Sequence, residues 1–248
     1  MTDVLGWRKI FAVLGPSTNT IVQPDMEALR PAGVTNAYRD IYVENAQALS
    51  DASFMAGTAK IGDGLSDALR TAMTCNPDYL VLGISAISFA GGKAGCDRMV
   101  GEIEAMTGLR ISVGSRALVA ALQAYGGIRK VAFVSPYYPA ANADVRGFLS
   151  DYGFETVRDI PLRRSSWTDI AQTPEDLLRR TLRDLYSDDV DAICQVGTNM
   201  SMMRLAAEAE SWLGKPVIAI NAATYWHALR VNGIKDRLEG YGRLFTDF

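Results

Sequence analysis

One α/β pattern is written twice along this chain. The run Lys9-Ile10-Phe11-Ala12-Val13-Leu14-Gly15-Pro16-Ser17 is echoed by Lys130-Val131-Ala132-Phe133-Val134-Ser135-Pro136-Tyr137, each a short apolar stretch broken by proline. Further on, Pro77-Asp78-Tyr79-Leu80-Val81-Leu82-Gly83-Ile84-Ser85 is matched by Val190-Asp191-Ala192-Ile193-Cys194-Gln195-Val196-Gly197-Thr198. A third pair sets Gly108-Leu109-Arg110-Ile111-Ser112-Val113 against Gly214-Lys215-Pro216-Val217-Ile218-Ala219. Three matches in one order imply a duplicated half. A duplicated α/β half holds its ligand in the crevice between the copies, so the site is expected to be built twice from equivalent loops.

A chain of 248 residues divides naturally into two such halves of roughly 120 residues. The boundary is placed at Gly126-Gly127, with one half made of residues 1–126 plus the returning tail 230–248 and the other of 127–229. Apolar runs at 9–14, 79–83, 110–113, 130–134, 155–160, 190–196 and 216–220 read as strands, and 38–43 as a weaker one. Most are continuous rather than alternating, as parallel strands covered on both faces require. The expected fold is α/β, two similar doubly wound parallel sheets, Rossmann- or flavodoxin-like and related by a twofold, with the site in the cleft between them. The tail offers Leu238, Tyr241, Leu244 and Phe245 as an apolar stripe for packing back on the first half.

Apolar residues form 48% of the chain, enough for a core in each half, yet no apolar run approaches the roughly 18 residues that span a bilayer. Met1-Thr2-Asp3 shows no basic or apolar leader, and a soluble cytoplasmic protein is expected. The net charge of -3, with no Lys/Arg run longer than pairs such as Arg163-Arg164 and Arg179-Arg180, leaves no footprint for nucleic acid. A small-molecule partner is expected, without nucleic acid or membrane. Cys75, Cys96 and Cys194 are scattered and read as free thiols. The single histidine, His227, lies in a helix-like stretch and reads as a packing or capping residue. No cluster has metal-ligand spacing, and no cofactor is expected.

In open parallel sheets the ligand meets the loops after the strands. Here these are Pro16-Ser17-Thr18-Asn19-Thr20, Ser85-Ala86-Ile87-Ser88, Pro136-Tyr137-Tyr138 and Gly197-Thr198-Asn199-Met200-Ser201. Their hydroxyls, amides and backbone N–H groups can hold a carboxylate without a buried cation. Any one of them can equally serve as a helix N-cap.

At these loops the chain resembles the Asp/Glu racemase superfamily, in its maleate isomerase and arylmalonate decarboxylase branch. The resemblance spans nearly the whole chain. Its most specific parts are Gly15-Pro16-Ser17-Thr18-Asn19-Thr20, similar to a carboxylate-binding loop, and Ser135-Pro136-Tyr137 followed by Asn142, similar to a tyrosine loop. Gly214-Lys215-Pro216-Val217, Trp226-His227-Ala228-Leu229-Arg230 and Gly240-Tyr241-Gly242-Arg243-Leu244 complete it. The resemblance implies cofactor-independent isomerase or lyase chemistry on a small mono- or dicarboxylate, in a monomer or a small homo-oligomer.

Members of that superfamily usually work through one or two cysteines placed after equivalent strands. This chain departs from them: Ile84 and Gly197 stand where the resemblance puts the thiols. Cys194 lies three residues upstream of Gly197, inside a strand, and is expected to be buried and inert. The resemblance assigns Pro16, Ser17, Asn19, Ala86, Asn142, Gly197, Thr198 and Asn199 to substrate binding, with Ala86 lacking a hydroxyl that the decarboxylases use. Tyr137 and Ser85 remain as candidate catalytic groups, Tyr137 foremost because a phenol beside an anion donates in the transition state. Glu44, Lys93, Arg163 and Asp169 are weaker candidates, as charges in loops are usually solvated. Three readings follow: a thiol-independent enzyme, better suited to decarboxylation, hydration, tautomerisation or hydrolysis of a reactive acid than to racemisation; a small-acid binding protein without turnover; or a loop register shifted by a few residues, with Cys194 as the reactive thiol.

Overall fold

A computed structural model describes residues 3–248. Among these residues, eight parallel strands form two sheets of four. The first contains β1 (Lys9–Pro16), β2 (Val34–Ile41), β3 (Tyr79–Leu82) and β4 (Ile111–Val113), in the order β2-β1-β3-β4. The second contains β5 (Lys130–Ser135), β6 (Glu155–Pro161), β7 (Ala192–Gln195) and β8 (Val217–Ala219), in the order β6-β5-β7-β8. The central strands β1, β3, β5 and β7 carry the repeated apolar runs, and their interior positions are fully buried because helices cover both faces. The edge strands β2 and β6 are more polar and mostly half-buried, β2 with Thr35, Asn36, Arg39 and Asp40 and β6 with Glu155, Arg158 and Asp159, whereas the opposite edges β4 and β8 are buried.

Helices fill the connections: α1 (Val22–Ala28), α2 (Asp51–Asp63), α3 (Leu65–Met73), α4 (Ala86–Phe89), α5 (Gly92–Thr107) and α6 (Gly114–Tyr125) in the first half. The chain continues through α7 (Pro139–Asp151), α8 (Glu175–Leu185), α9 (Met203–Leu213), α10 (Ile220–Val231) and α11 (Arg243–Thr246). Helix α2 starts at a reciprocal Ser50/Ser53 capping box, which satisfies amides that a helix start leaves without partners. No helix among the described residues is long and apolar enough to cross a membrane.

The helices after the fourth strand of each sheet, α6 and α10, pack against each other, and α10 also rests on β3, β4 and α1. Helix α10 thus joins the two halves. His227 sits on it and meets Ser112 of β4, Nδ1 to Oγ at 2.7 Å. The tail closes over the same region, where Leu244 and Phe245 are buried, α11 packs on α6 and α10, and Arg8 pairs with Asp236 at 2.6 Å. In each sheet the order reverses between two central strands, β1 and β3 or β5 and β7. The crevice outside their carboxyl ends is where such a fold receives a ligand.

Candidate active site

The loops after β1, β3, β5 and β7 converge on a cavity of about 50 Å³. Pro16, Thr18 and Asn19 come from the first loop, Ile84, Ser85 and Ala86 from the second, Tyr137 from the third, and Gly197, Thr198 and Asn199 from the fourth. Ile61 of α2, with Trp167 and Ile170 from the segment after β6, closes the apolar side. No side chain in this lining is ionised at neutral pH.

At the floor, the Ser85 and Tyr137 hydroxyls share a hydrogen bond of 2.7 Å, and the Gly197 N–H donates to Ser85 Oγ at 3.1 Å. One residue of the pair comes from each half. Burial holds the Tyr137 hydroxyl well above the ordinary tyrosine range, with the bond to Ser85 opposing in part. Tyr137 therefore remains a phenol, a hydrogen-bond donor rather than a base.

The loops after β1 and β7 are tied directly together. Asn19 Oδ1 accepts from the Ile21 and Val22 amides at 2.9 Å each, and its Nδ2 donates to Thr198 Oγ1 at 3.2 Å. Asn199 Oδ1 accepts from the Thr20 amide at 3.0 Å, while its Nδ2 donates to the Trp167 carbonyl at 2.8 Å and the Thr18 carbonyl at 3.3 Å. The Asn199 side chain is thereby spent on loop closure, and what it offers a ligand is its backbone N–H. That N–H, like those of Ala86 and Thr198, finds no acceptor among the described residues. Backbone donors left without a protein acceptor at the cavity favour an anion there.

Several residues singled out in the sequence do not line the cavity. Ser17 turns away, its Oγ accepting from the Val43 amide at 2.9 Å, which fixes the loop after β2. Asn142 is fully buried in the second half, accepting from Ser135 Oγ at 2.5 Å and donating to Asp159 at 2.6 Å. Both are corrections to the expected binding set, and in each the polar side chain satisfies the local backbone or a buried hydroxyl. Lys93 pairs with Asp97 and Asp169 with Arg164, Arg163 is exposed, and Glu44 lies in a separate cleft, so none of the four reaches the cavity.

Cys194 is fully buried in β7 and its thiol is pushed up to about 12 by burial. Cys96 is buried in α5, and Cys75 lies outside the cavity after α3. Ile84 meets the cavity with an aliphatic side chain. Trp167, Ile61 and Ile170 were not legible as site residues, because they arrive from helices and a loop far from the strand ends.

Trp167 also lines an outer cleft of about 390 Å³ bordered by Tyr42, Glu44 and Lys60. It is therefore the partition between the two spaces. Its ring rests on Phe54, centroids 5.1 Å apart, and Phe54 in turn meets Tyr137 at 5.3 Å. The indole occupies the place a side chain at Gly57 would take, since a Cβ there would fall 2.6 Å from its ring.

Behind the loop after β7, Asn221 of α10 donates from Nδ2 to Asp25 Oδ2 at 2.8 Å and to the Thr198 carbonyl at 2.9 Å. Burial raises Asp25 to about 6, opposed by the Asn221 bond and by Arg204 of α9. Burial and the nearby Arg116 lower His227 to about 4. The two act on stability with opposite signs. Asp25 binds a proton in the folded state that it lacks when unfolded, so acidification through about pH 6 to 4 stabilises the fold. His227 binds its proton first in the unfolded chain, so acidification from about pH 6.5 to 4 destabilises it. In urea unfolding across that window, Asp25→Asn is expected to lose stability on acidification more steeply than wild type, and His227→Gln less steeply.

Comparison with known proteins places this geometry. The family model described as arylmalonate decarboxylase matches residues 21–245. The arylmalonate decarboxylase of Bordetella bronchiseptica is 27% identical over 241 residues, 93% of this chain and 98% of that protein. The maleate isomerase of Alcaligenes faecalis is 29% identical over 132 residues, covering 52% of this chain and 51% of its own. In fold, a maleate cis-trans isomerase from Nocardia farcinica, solved with a covalently bound succinylcysteine intermediate, superposes with a TM-score of 0.86 at 21% identity, over 97% of this chain and 99% of that one.

Proposed function

The chain belongs to the arylmalonate decarboxylase family, and on that premise we propose that it is a lyase- or isomerase-type enzyme acting on a small carboxylic acid without a cysteine in the reacting cavity. The observation that carries this reading is the Ser85–Tyr137 pair, 2.7 Å apart and joined by the Gly197 N–H, in a cavity lined by unpaired amides and no charged side chain.

Decarboxylation of an activated acid suits that donor set. The bond to the departing carboxylate breaks, and its electron pair moves into an enediolate held at the remaining carboxylate. Ser85, Tyr137, Thr198 and the amides of Ala86 and Asn199 stabilise that charge, which is larger in the transition state than in the bound acid. Water supplies the proton that the carbon takes, and the hydroxide left behind combines with carbon dioxide as bicarbonate. Racemisation is disfavoured, because abstraction of a proton next to a carboxylate requires a strong base and the cavity presents none.

A cavity of about 50 Å³ is smaller than the ~150 Å³ that admits benzene, so an acid bearing an apolar group enters only as Trp167 moves. Trp167→Ala joins the inner cavity to the outer cleft. It is expected to lower KM for acids with bulky apolar substituents relative to small ones, with kcat for small acids reduced as water enters. Steady-state kinetics on a size series checks this.

The direct test is proton NMR in deuterated buffer with phenylmalonate, alkenylmalonates, maleate, fumarate, aspartate, glutamate and hydantoins. Turnover of one of them supports the enzyme. Saturable ligand-induced shifts with no chemistry across the panel support the binding reading instead.

A further inference from the structure

We infer that Asp25 and Asn221 are positioning residues that aim the Asn199 N–H into the cavity, an inference that rests on the reading of the cavity as an acid site. Asn221 is 3% exposed, and its Nδ2 serves two acceptors, Asp25 Oδ2 and the Thr198 carbonyl. Its Oδ1 is buried and has no partner. A buried orphan carbonyl costs about 1–3 kcal/mol, and turning the amide over would relieve none of it. The turned amide would press its oxygen against a carboxylate and a carbonyl at once. Asp25, an acceptor when ionised, thus fixes which end of the Asn221 amide meets Thr198.

The consequence passes through one peptide bond. No peptide in the described chain is cis, so the Thr198 carbonyl and the Asn199 N–H point in opposite directions. Holding the carbonyl back against α10 turns the N–H away from α10. Asn199 lines the cavity, and that N–H has no acceptor among the described residues. The strut also crosses the molecule: Asp25 lies in the first turn of α1, Asn221 on α10 and Thr198 in the loop after β7. Placement of one half therefore sets the donor geometry of the other.

Asp25→Asn tests this with a nearly isosteric change, because an amide at position 25 can donate and lets the Asn221 amide turn over. Asn221→Leu removes the strut outright. In full-length, isotope-labelled protein without ligand, both variants are expected to keep a dispersed, folded spectrum. Both are also expected to shift and broaden the Thr198 carbonyl carbon and the Asn199 amide. On an acid turned over in the wild-type panel, Asp25→Asn is expected to lower kcat about tenfold with KM changed less, since misaiming a donor weakens transition-state binding. Unchanged Thr198 and Asn199 resonances in both variants would overturn the inference, as would an unchanged kcat in a variant whose resonances had moved. A silent wild-type panel counts against the acid reading alone, because the resonances still decide the positioning.

Discussion

Tyr137→Phe is expected to lower kcat/KM for any acid the protein turns over by roughly 10²–10³-fold, the loss seen when one donor to a developing oxyanion is removed. The hydroxyl is buried, bonded to Ser85 Oγ at 2.7 Å, and held as a phenol by its surroundings. Its removal leaves Ser85 with the Gly197 N–H as a partner, so the floor keeps its shape while losing the phenolic O–H. The phenylalanine ring still packs on Phe54, whose centroid lies 5.3 Å from that of Tyr137. Stability should change by no more than about 1 kcal/mol, the net worth of a hydrogen bond whose partner stays satisfied. The effect is expected in kcat, with KM nearly constant, because the donor acts on charge that grows in the transition state. Steady-state kinetics together with urea unfolding separates the two quantities.

Gly197→Ala is expected to cost about 2–4 kcal/mol of stability, combining left-handed backbone strain with overpacking, and to abolish turnover. Gly197 has φ of +103°, a region L side chains rarely adopt. A Cβ there would fall 2.3 Å from Pro136 Cδ and 2.5 Å from Cγ, in a rigid ring that cannot swing aside. Relief requires the loop after β7 to move, which takes the Gly197 N–H away from Ser85 and disturbs the Thr198 and Asn199 contacts to the first half. The same geometry bears on the position where the family resemblance puts a thiol. Gly197→Cys would carry a similar backbone penalty before any chemistry, so a cysteine cannot be restored here without rebuilding the loop. Chemical unfolding of the alanine variant, beside a control at the open position Gly101, measures the cost.

Much of the fold was legible because its signal is repetitive. The paired runs at Lys9–Pro16 and Lys130–Ser135, and at Tyr79–Leu82 and Ala192–Gln195, became equivalent central strands of two sheets with one strand order. The edge strand β2 was harder to read: it starts at Val34, earlier than the 38–43 stretch, since Thr35, Asn36 and Arg39 dilute its apolar pattern where only part of the strand is covered. Helix α10 carries its apolar residues all round, and no periodicity could show that it packs on α6 and β4 rather than on its own sheet alone.

The lining of the cavity was legible at the strand ends and illegible elsewhere. Asn19, Ser85, Tyr137, Thr198 and Asn199 meet at one cavity because equivalent strands end there. Whether a loop hydroxyl or amide faces that cavity or its own backbone depends on single torsions, which explains why Ser17 and Asn142 serve the scaffold. Asn19 does both, since its oxygen caps the start of α1 while its nitrogen bridges to Thr198. Trp167 and Asp25 come from segments with no strand-end signal. Only the packing of Trp167 over Gly57, and of α1 against α10, brings them to the site.

The central claim is that this cavity turns over a small acid with no thiol in it. The most direct measurement follows deuterium incorporation and carbon dioxide release from the panel acids by wild type and by Cys194→Ala. Turnover by wild type that survives in the variant within a few-fold is the predicted result. Turnover lost with Cys194, or absent from every acid in wild type, would contradict the account.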